Sequence, residues 1–427
     1  MTNRVVVTGL GVVSPNGVGI SDFTKALKAG ISGISFQKDL STLKFGCQVA
    51  GIPQLSEDEK NDFIKNYHLV SLKSSGILYG CMAATESWKN AGLPLKGRGE
   101  SEPDWDSGCI FGTGISGIEA IAFGLKLIEV GKVRKLGGRV TQQVMSSGIS
   151  AYVGGIIGCG NQVTTNSSAC STGTEAIIEA FYRIKFGMAK RMIAGSCDSE
   201  GPYVWGGFDS MRVLNRTSNH APTKASRPMS KSATGFVPGA GAGALVLESL
   251  DSALERNANI YAEIVGGSIN SGGQRGSGTM TAPNRMGIIR CIKQALKDSK
   301  TSPEEIDLIC GHLTSTMGDP IEVAGWSEAM GRKKDQFPYI NSLKSMVGHC
   351  LSAAGSVESV AAVLQLKEDF VHPSLNCEDL HPEIEKIADP KKILNKAKTN
   401  VGIHTLAKAS FGFGDVNSCV IIRKWEG

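Results

Sequence analysis

A chain of 427 residues, 41% hydrophobic and 20% charged, has the length and composition to build a large core, which excludes extensive disorder. Its net charge of +5 is small and its basic residues are dispersed, which argues against a nucleic-acid-binding arm. Charged residues or glycines interrupt every apolar run well short of the roughly 20 residues of a membrane span, and the first residues lack the pattern of an export signal. Eleven cysteines without paired spacing or a CxxC pair then fit reduced thiols in a cytoplasmic protein better than a disulfide framework or a structural zinc site.

In chain order, residues 4–11 read as a buried valine-rich strand ending in a glycine turn at Gly9 to Gly11. A GxG alone is weak evidence for dinucleotide binding, because the third glycine and the ribose-binding acid are not in place. Residues 163–199 read as strand, small-residue turn, helix and strand, with Ile177, Ala180, Phe181 and Ile184 forming one apolar stripe on the helix. The glycines of 235–243 lack the Lys-Ser/Thr of a phosphate loop and predict close backbone packing at the start of a strand. The Gly/Ser-rich residues 266–278 predict a loop over a site.

The second half repeats the logic. Ile288, Cys291, Ile292 and Ala295 share a helix face, strands are expected at 308–311 and 339–341, a helix at 352–367 and a terminal strand at 418–422. Alternating strands and helices in both halves predict an α/β architecture with parallel sheets between helix layers, the halves meeting near residue 255 (1–254 and 255–427).

Three residues stand out as chemistry. Cys170, in Asn166-Ser167-Ser168-Ala169-Cys170-Ser171-Thr172-Gly173, sits between a strand and a helix start, where the dipole and free N–H groups favour a thiolate and can receive an oxyanion. His312 and His349 occupy strand-to-loop junctions of the second half, which in parallel sheets converge on one crevice. Zinc is disfavoured, because Cys310 and Cys350 flank these histidines too closely in sequence to share an ion with them. Phe411-Gly412-Phe413-Gly414 reads either as turn and packing or as a flap over a pocket.

Taken together, Val5-Val6-Val7-Thr8-Gly9-Leu10-Gly11, Gly112-Thr113-Gly114-Ile115, the cysteine motif, Arg227-Pro228, Gly235-Phe236-Val237, the two histidine motifs and Ser410-Phe411-Gly412-Phe413-Gly414 resemble the elongating β-ketoacyl-(acyl carrier protein) synthases over nearly the whole chain. The resemblance implies a thiolase-like fold of two related halves in an αβαβα sandwich. It implies an acyltransferase that loads an acyl group on Cys170 and condenses it with malonyl carrier protein, with His312 and His349 on the enolate and the amides of Cys170 and Phe413 as oxyanion hole. It further implies a Lys344–Glu358 pair beside the histidines, Thr281, Thr314 and Thr316 on the phosphopantetheine arm, and Ile115 and Phe413 gating the acyl pocket. No metal or cofactor of its own is implied, since phosphopantetheine arrives on the acyl carrier protein; the other expected partner is a second copy or a ketosynthase-like subunit, and nucleic acid is not one.

Departures from the family pattern are Leu313 at a usual glycine, whose bulk is expected to crowd the pantetheine, a shortened loop from His312 to Glu322, and Ser230, Ala233, Ala240 and Asp415, which read as a lost charge cluster. They point to a specialised polyketide or polyene substrate. The competing readings are a non-condensing, chain-length-determining partner subunit, a thiolase, disfavoured for want of a suitable second cysteine, and a purely structural protein.

Overall fold

A computed structural model of the chain describes residues 2–96, 99, 102–115 and 117–427. Its principal element is an 11-stranded sheet, of which ten strands form two sets of five. In the first half β1 (Val5–Ser14), β2 (Ser107–Thr113), β3 (Val163–Thr164), β4 (Arg191–Asp198) and β5 (Gly241–Ser249) stand in the order β3-β2-β4-β5-β1. In the second, β6 (Ala262–Ser271), β7 (Leu308–Cys310), β8 (Tyr339–Asn341), β9 (Thr405–Gly412) and β10 (Val416–Lys424) stand in the order β8-β7-β9-β10-β6. Counted from its own first strand, each half has the same order, and the first strands of the two halves pair antiparallel through residues 5–7 and 262–264.

Expected parallel sheets are mixed ones. β2 pairs parallel with β3 and β4, and β7 with β8 and β9, whereas β5 and β10 are antiparallel to both of their neighbours. The physical reason is local: helical crossovers supply the parallel pairs, but β9 returns directly into β10 through a tight turn at Phe413 to Asp415, and a direct return is antiparallel.

Six helices complete the layers: α1 (Ser75–Asn90), α2 (Gly148–Ile157), α3 (Thr172–Lys185), α4 (Arg285–Ser299), α5 (Gly318–Met330) and α6 (Ala354–Lys367). The stripe Ile177, Ala180, Phe181 and Ile184 packs with Val357 and Val360 of α6 between Val5, Val7 and Leu245 of one half and Leu406 and Val420 of the other. α1 and α2 cover the outer face of the first half, and α4 and α5 that of the second, where Ile288, Cys291, Ile292 and Ala295 meet Trp326. The result is helix, sheet, helix, sheet, helix, the αβαβα sandwich. α6 is buried on every side from Ala354 to Leu366, so its sequence lacks a polar stripe. Gly173 and Gly355 let α3 and α6 meet: a Cβ on Gly173 would lie 2.3 Å from the backbone N of Ser356, and one on Gly355 2.6 Å from that of Thr174.

Two glycine readings change. Gly9 and Gly11 form no turn; they lie inside β1, where Cβ atoms would come within 2.1 Å of the Ser87 carbonyl oxygen and 2.0 Å of that of Ala83 on α1. Of the Gly/Ser-rich stretch, Gly266 to Ser271 continue β6, and only the residues after it form a loop. Among the described residues no helix is long and apolar enough to cross a membrane.

Candidate active site

The cysteine is presented by a strained turn between β3 and α3. A 3-10 turn, Ala169–Ser171, begins with Ala169 at φ 47° and runs into α3. The second half uses the same device, a 3-10 turn Leu351–Ala353 with Leu351 at φ 51° before α6, and both helices are 14 residues long. Cross-links tie each central helix to the other half: the Thr174 and Ser410 hydroxyls lie 2.9 Å apart, those of Ser356 and Ser196 2.7 Å apart. Ser168 N donates to Thr172 Oγ1 at 2.8 Å, and Ser171 Oγ donates to the carbonyls of Ser410 (3.1 Å) and Val416 (3.0 Å). The Cys170 turn is thereby fastened to the end of β9 and the turn that carries Phe413.

Each histidine is held with its tautomer set. His312 follows β7, and its backbone N–H donates to Glu322 Oε1 at 2.7 Å, while Leu313 N donates to Glu322 Oε2 at 2.7 Å. Lys344 Nζ lies 3.4 Å from His312 Nδ1 and donates to the His312 carbonyl at 2.6 Å. An ammonium has only hydrogens to give, so Nδ1 is the acceptor and Nε2 carries the imidazole hydrogen. For His349, Leu351 N donates to Nδ1 at 3.2 Å, which again leaves the hydrogen on Nε2. The rings are T-shaped, with centroids 5.3 Å apart. Ligand atoms of Cys170, His312 and His349 all lie within 4.8 Å of one another, and all three residues are buried.

Behind the histidines, Glu358 of α6 is shared by two buried lysines. Lys344 Nζ contacts one carboxylate oxygen, and Lys408 Nζ lies 2.8 Å from the other. Burial pushes both imidazoles well below the usual histidine range, and the Lys344 and Lys408 ammoniums push the same way, so both rings are neutral. Burial also pushes the Cys170 thiol up to about 11, against the pull of Lys344 and of a hydrogen bond from the Phe413 backbone N–H. The thiolate expected from the helix start is therefore not the resting form; desolvation outweighs the favourable groups.

These residues open on a chamber of about 540 Å³ lined by Cys170, His312, His349, Thr281, Thr314, Thr316 and Phe413. The Thr314 and Thr316 hydroxyls lie 2.9 Å apart, and Phe208 stands between Phe236 and Phe413, with ring centroids at 5.7 and 6.0 Å. Ile115 does not reach the chamber; it packs against the outer core of the first half. Leu313 does not crowd it: at φ 22° and 1% exposed, its side chain turns away into the outer core of the second half.

Nor is charge simply lost. Arg227 pairs with Asp379 at 2.9 Å, which also accepts from Ser230 Oγ and, at 3.0 Å, from Ser232 N. Ala233 lines the chamber, and buried Ala240 donates its N–H to the Gly51 carbonyl at 2.9 Å. Asp415, 1% exposed, accepts from Gln274 N at 3.0 Å and Asn284 N at 2.9 Å, and so anchors the loop that carries Thr281. Sequence reasoning missed Lys408, Glu322 and Asp319, the last accepting from the backbones of Thr314, Ser315 and Met229. Lys408 had a signal, since it is the one charge in the apolar strand Thr405–Gly412, at a position that alternation sends inward with Leu406 and Ser410. The two acids had none, because nothing in their spacing distinguishes them from exposed helix acids.

A thiolase-like fold that brings a cysteine of one half against two imidazoles of the other defines a condensing acyltransferase. The chain belongs to the β-ketoacyl synthase family: residues 2–253 match the "Beta-ketoacyl synthase, N-terminal domain" and residues 261–378 the "Beta-ketoacyl synthase, C-terminal domain". It is 32% identical over 430 residues to 3-oxoacyl-[acyl-carrier-protein] synthase 1 of Buchnera aphidicola, covering 99% of this chain and 100% of that protein. It is 33% identical over 433 residues to synthase 2 of Vibrio cholerae, covering 99% of each. Among solved structures it is similar to a type II polyketide synthase acyl-carrier protein in complex with its ketosynthase bound to the hexaketide (TM-score 0.86, 28% identity). The ishigamide ketosynthase/chain length factor gives TM-score 0.86 at 27% identity, and both alignments cover 100% of each chain.

Proposed function

We propose that this chain performs the decarboxylative condensation of an acyl thioester with malonyl-(acyl carrier protein). The carrying observation is the meeting of Cys170 with two neutral imidazoles, each left with its hydrogen on Nε2. In the first half-reaction the Cys170 sulfur takes the acyl group, the carrier thioester bond breaks and the thiol proton leaves with the carrier thiol. The amides of Cys170 and Phe413 receive the oxyanion. In the second, carbon dioxide leaves the malonyl group, the enolate oxygen accepts from His312 and His349, and the enolate carbon displaces Cys170 from the acyl carbon as a thiolate, which takes up a proton from solvent to restore the resting thiol. Two preorganised donors on one developing charge account for a pair of histidines where a thiolase uses a second cysteine.

Lys344 and Glu358 hold His312, the hydroxyls of Thr314, Thr316 and Thr281 hold the phosphopantetheine arm at the chamber mouth, and Phe413 gates the chamber. No cofactor resident on the chain is required. The acyl carrier protein docks over that mouth, where Arg212 lies with exposed Met317. Exposed Leu125, Ile128, Val130 and Val133 support association with a second copy or a ketosynthase-like subunit, and eleven cysteines without paired spacing in the sequence suit a reducing cytoplasm. The aromatic walls from Phe208 to Phe413 favour a flat polyenoyl or polyketide chain over a saturated one.

Intact-protein mass spectrometry tests the reading: acyl carriers of several chain types should add mass to the wild type and not to Cys170→Ala, and malonyl carrier protein should discharge it as a β-ketoacyl product. Absence of acylation from every carrier, with folded protein, would leave the partner-subunit reading; equal turnover of saturated and polyenoyl chains would remove the specialised substrate.

A further inference from the structure

We propose that Lys408 is a positioning residue for the condensation, its ammonium giving the buried cluster behind the histidines one unbalanced positive charge that keeps both imidazoles neutral with the hydrogen on Nε2. This rests on the reading of His312 and His349 as hydrogen-bond donors to the enolate.

Lys408 is completely buried on β9. Its ammonium lies 2.8 Å from Glu358 Oε2 and donates to Ser410 Oγ at 2.9 Å and to the Ala409 carbonyl. Lys344 contacts the other oxygen of the same carboxylate. Two ammoniums on one carboxylate leave a single positive charge in a dry interior, where an unpaired charge is costly to keep unless it does something. A residue needed only to satisfy Glu358 would duplicate Lys344.

What the charge faces explains it. Around the two rings, Lys344 comes from the turn after β8, Glu358 from α6, Lys408 from β9, Glu322 and Asp319 from α5, Asp198 from the end of β4, and the thiols of Cys170, Cys310 and Cys350 from their own turns and strand. Burial pushes Asp319 up, Glu322 and Asp198 up to about 7 and the thiols to about 11 or above, so as the pH falls toward the acid limb these carboxyls lose their charge while the thiols carry none. The excess cation then governs the imidazoles. Protonating His312 on Nδ1 would set a second cation 3.4 Å from Lys344 Nζ, and protonating His349 on Nδ1 would expel the Leu351 N–H. Either event spoils the two-donor geometry. Without Lys408 the cluster charge drops from one to zero and both events become easier, so the acid limit of condensation moves to higher pH.

The test is a pH profile of kcat for condensation together with NMR titration of the imidazole C–H signals in histidine-labelled protein, which needs no turnover and has only seven histidines to assign. For Lys408→Met the acid limb and the two imidazole midpoints should both rise by about one pH unit. Lys408→Met with Glu358→Gln removes one cation and one anion and should return the midpoints to their wild-type positions, which a purely structural role would not do. Unchanged midpoints in folded Lys408→Met overturn the proposal. Should that variant not fold, Glu358→Gln alone adds one net positive charge and must move the midpoints to lower pH; no movement, or movement upward, overturns it equally. Midpoints that shift as stated in a protein that never condenses would sustain Lys408's role and sink the condensing function instead.

Discussion

On the proposed mechanism, His349→Ala should separate the two half-reactions. The residue is 3% exposed, and its imidazole supplies one of two Nε2–H donors, the other being that of His312. Losing one preorganised donor to a developing oxyanion costs about 2.7–4 kcal/mol, a fall of roughly 10²–10³ in rate. The oxyanion site proposed for acyl loading uses the backbone of Cys170 and Phe413, which the substitution leaves in place. Decarboxylation of malonyl carrier protein, followed by carbon dioxide release, should therefore drop by two to three orders of magnitude while acylation of Cys170, followed by intact mass, changes by less than about tenfold. The folded state also pays for an unpaired, buried Leu351 N–H, about 1–3 kcal/mol, which a thermal melt will register. Equal losses in loading and decarboxylation, or decarboxylation within tenfold of wild type, would refute the division of labour.

Gly412→Ala should do the reverse: its Cβ would lie 3.0 Å from Cys170 N and 3.1 Å from Ser171 N, displacing an oxyanion donor, so loading of Cys170 should fall by roughly 10²-fold as read by acyl-enzyme formation. Gly173→Ala places a Cβ 2.3 Å from Ser356 N between the central helices and should cost about 3 kcal/mol of stability, measured by chemical denaturation. With its thiol pushed up to about 11, Cys170 should react with iodoacetamide about tenfold faster per pH unit between pH 7 and pH 10, since thiolate grows tenfold per unit below the pKa; a rate flat across that range would show a thiolate already formed. Lys344→Met removes an attractive cation and should slow that alkylation at any fixed pH.

The amphipathic stripes of α3 and α4 and the strand at 339–341 could be read from residue periodicity, because a side chain's face is decided within its own element. So could the candidacy of Cys170, His312 and His349, since strand-to-helix junctions are local features and the order of their motifs carries the family resemblance. The sequence alone thus determined the class of fold and the chemical groups. Tertiary structure alone decided the mixed sheet, the place of Gly9 and Gly11 against α1, the burial of Leu313 away from the chamber, and the anchoring role of Asp415. It also decided the resting protonation of the site. Lys408 lies well beyond the Lys344–Glu358 pair in the chain, and Cys170 in the other half, so whether burial or a neighbouring ammonium governs each proton depends on which surfaces fold over them and exclude water.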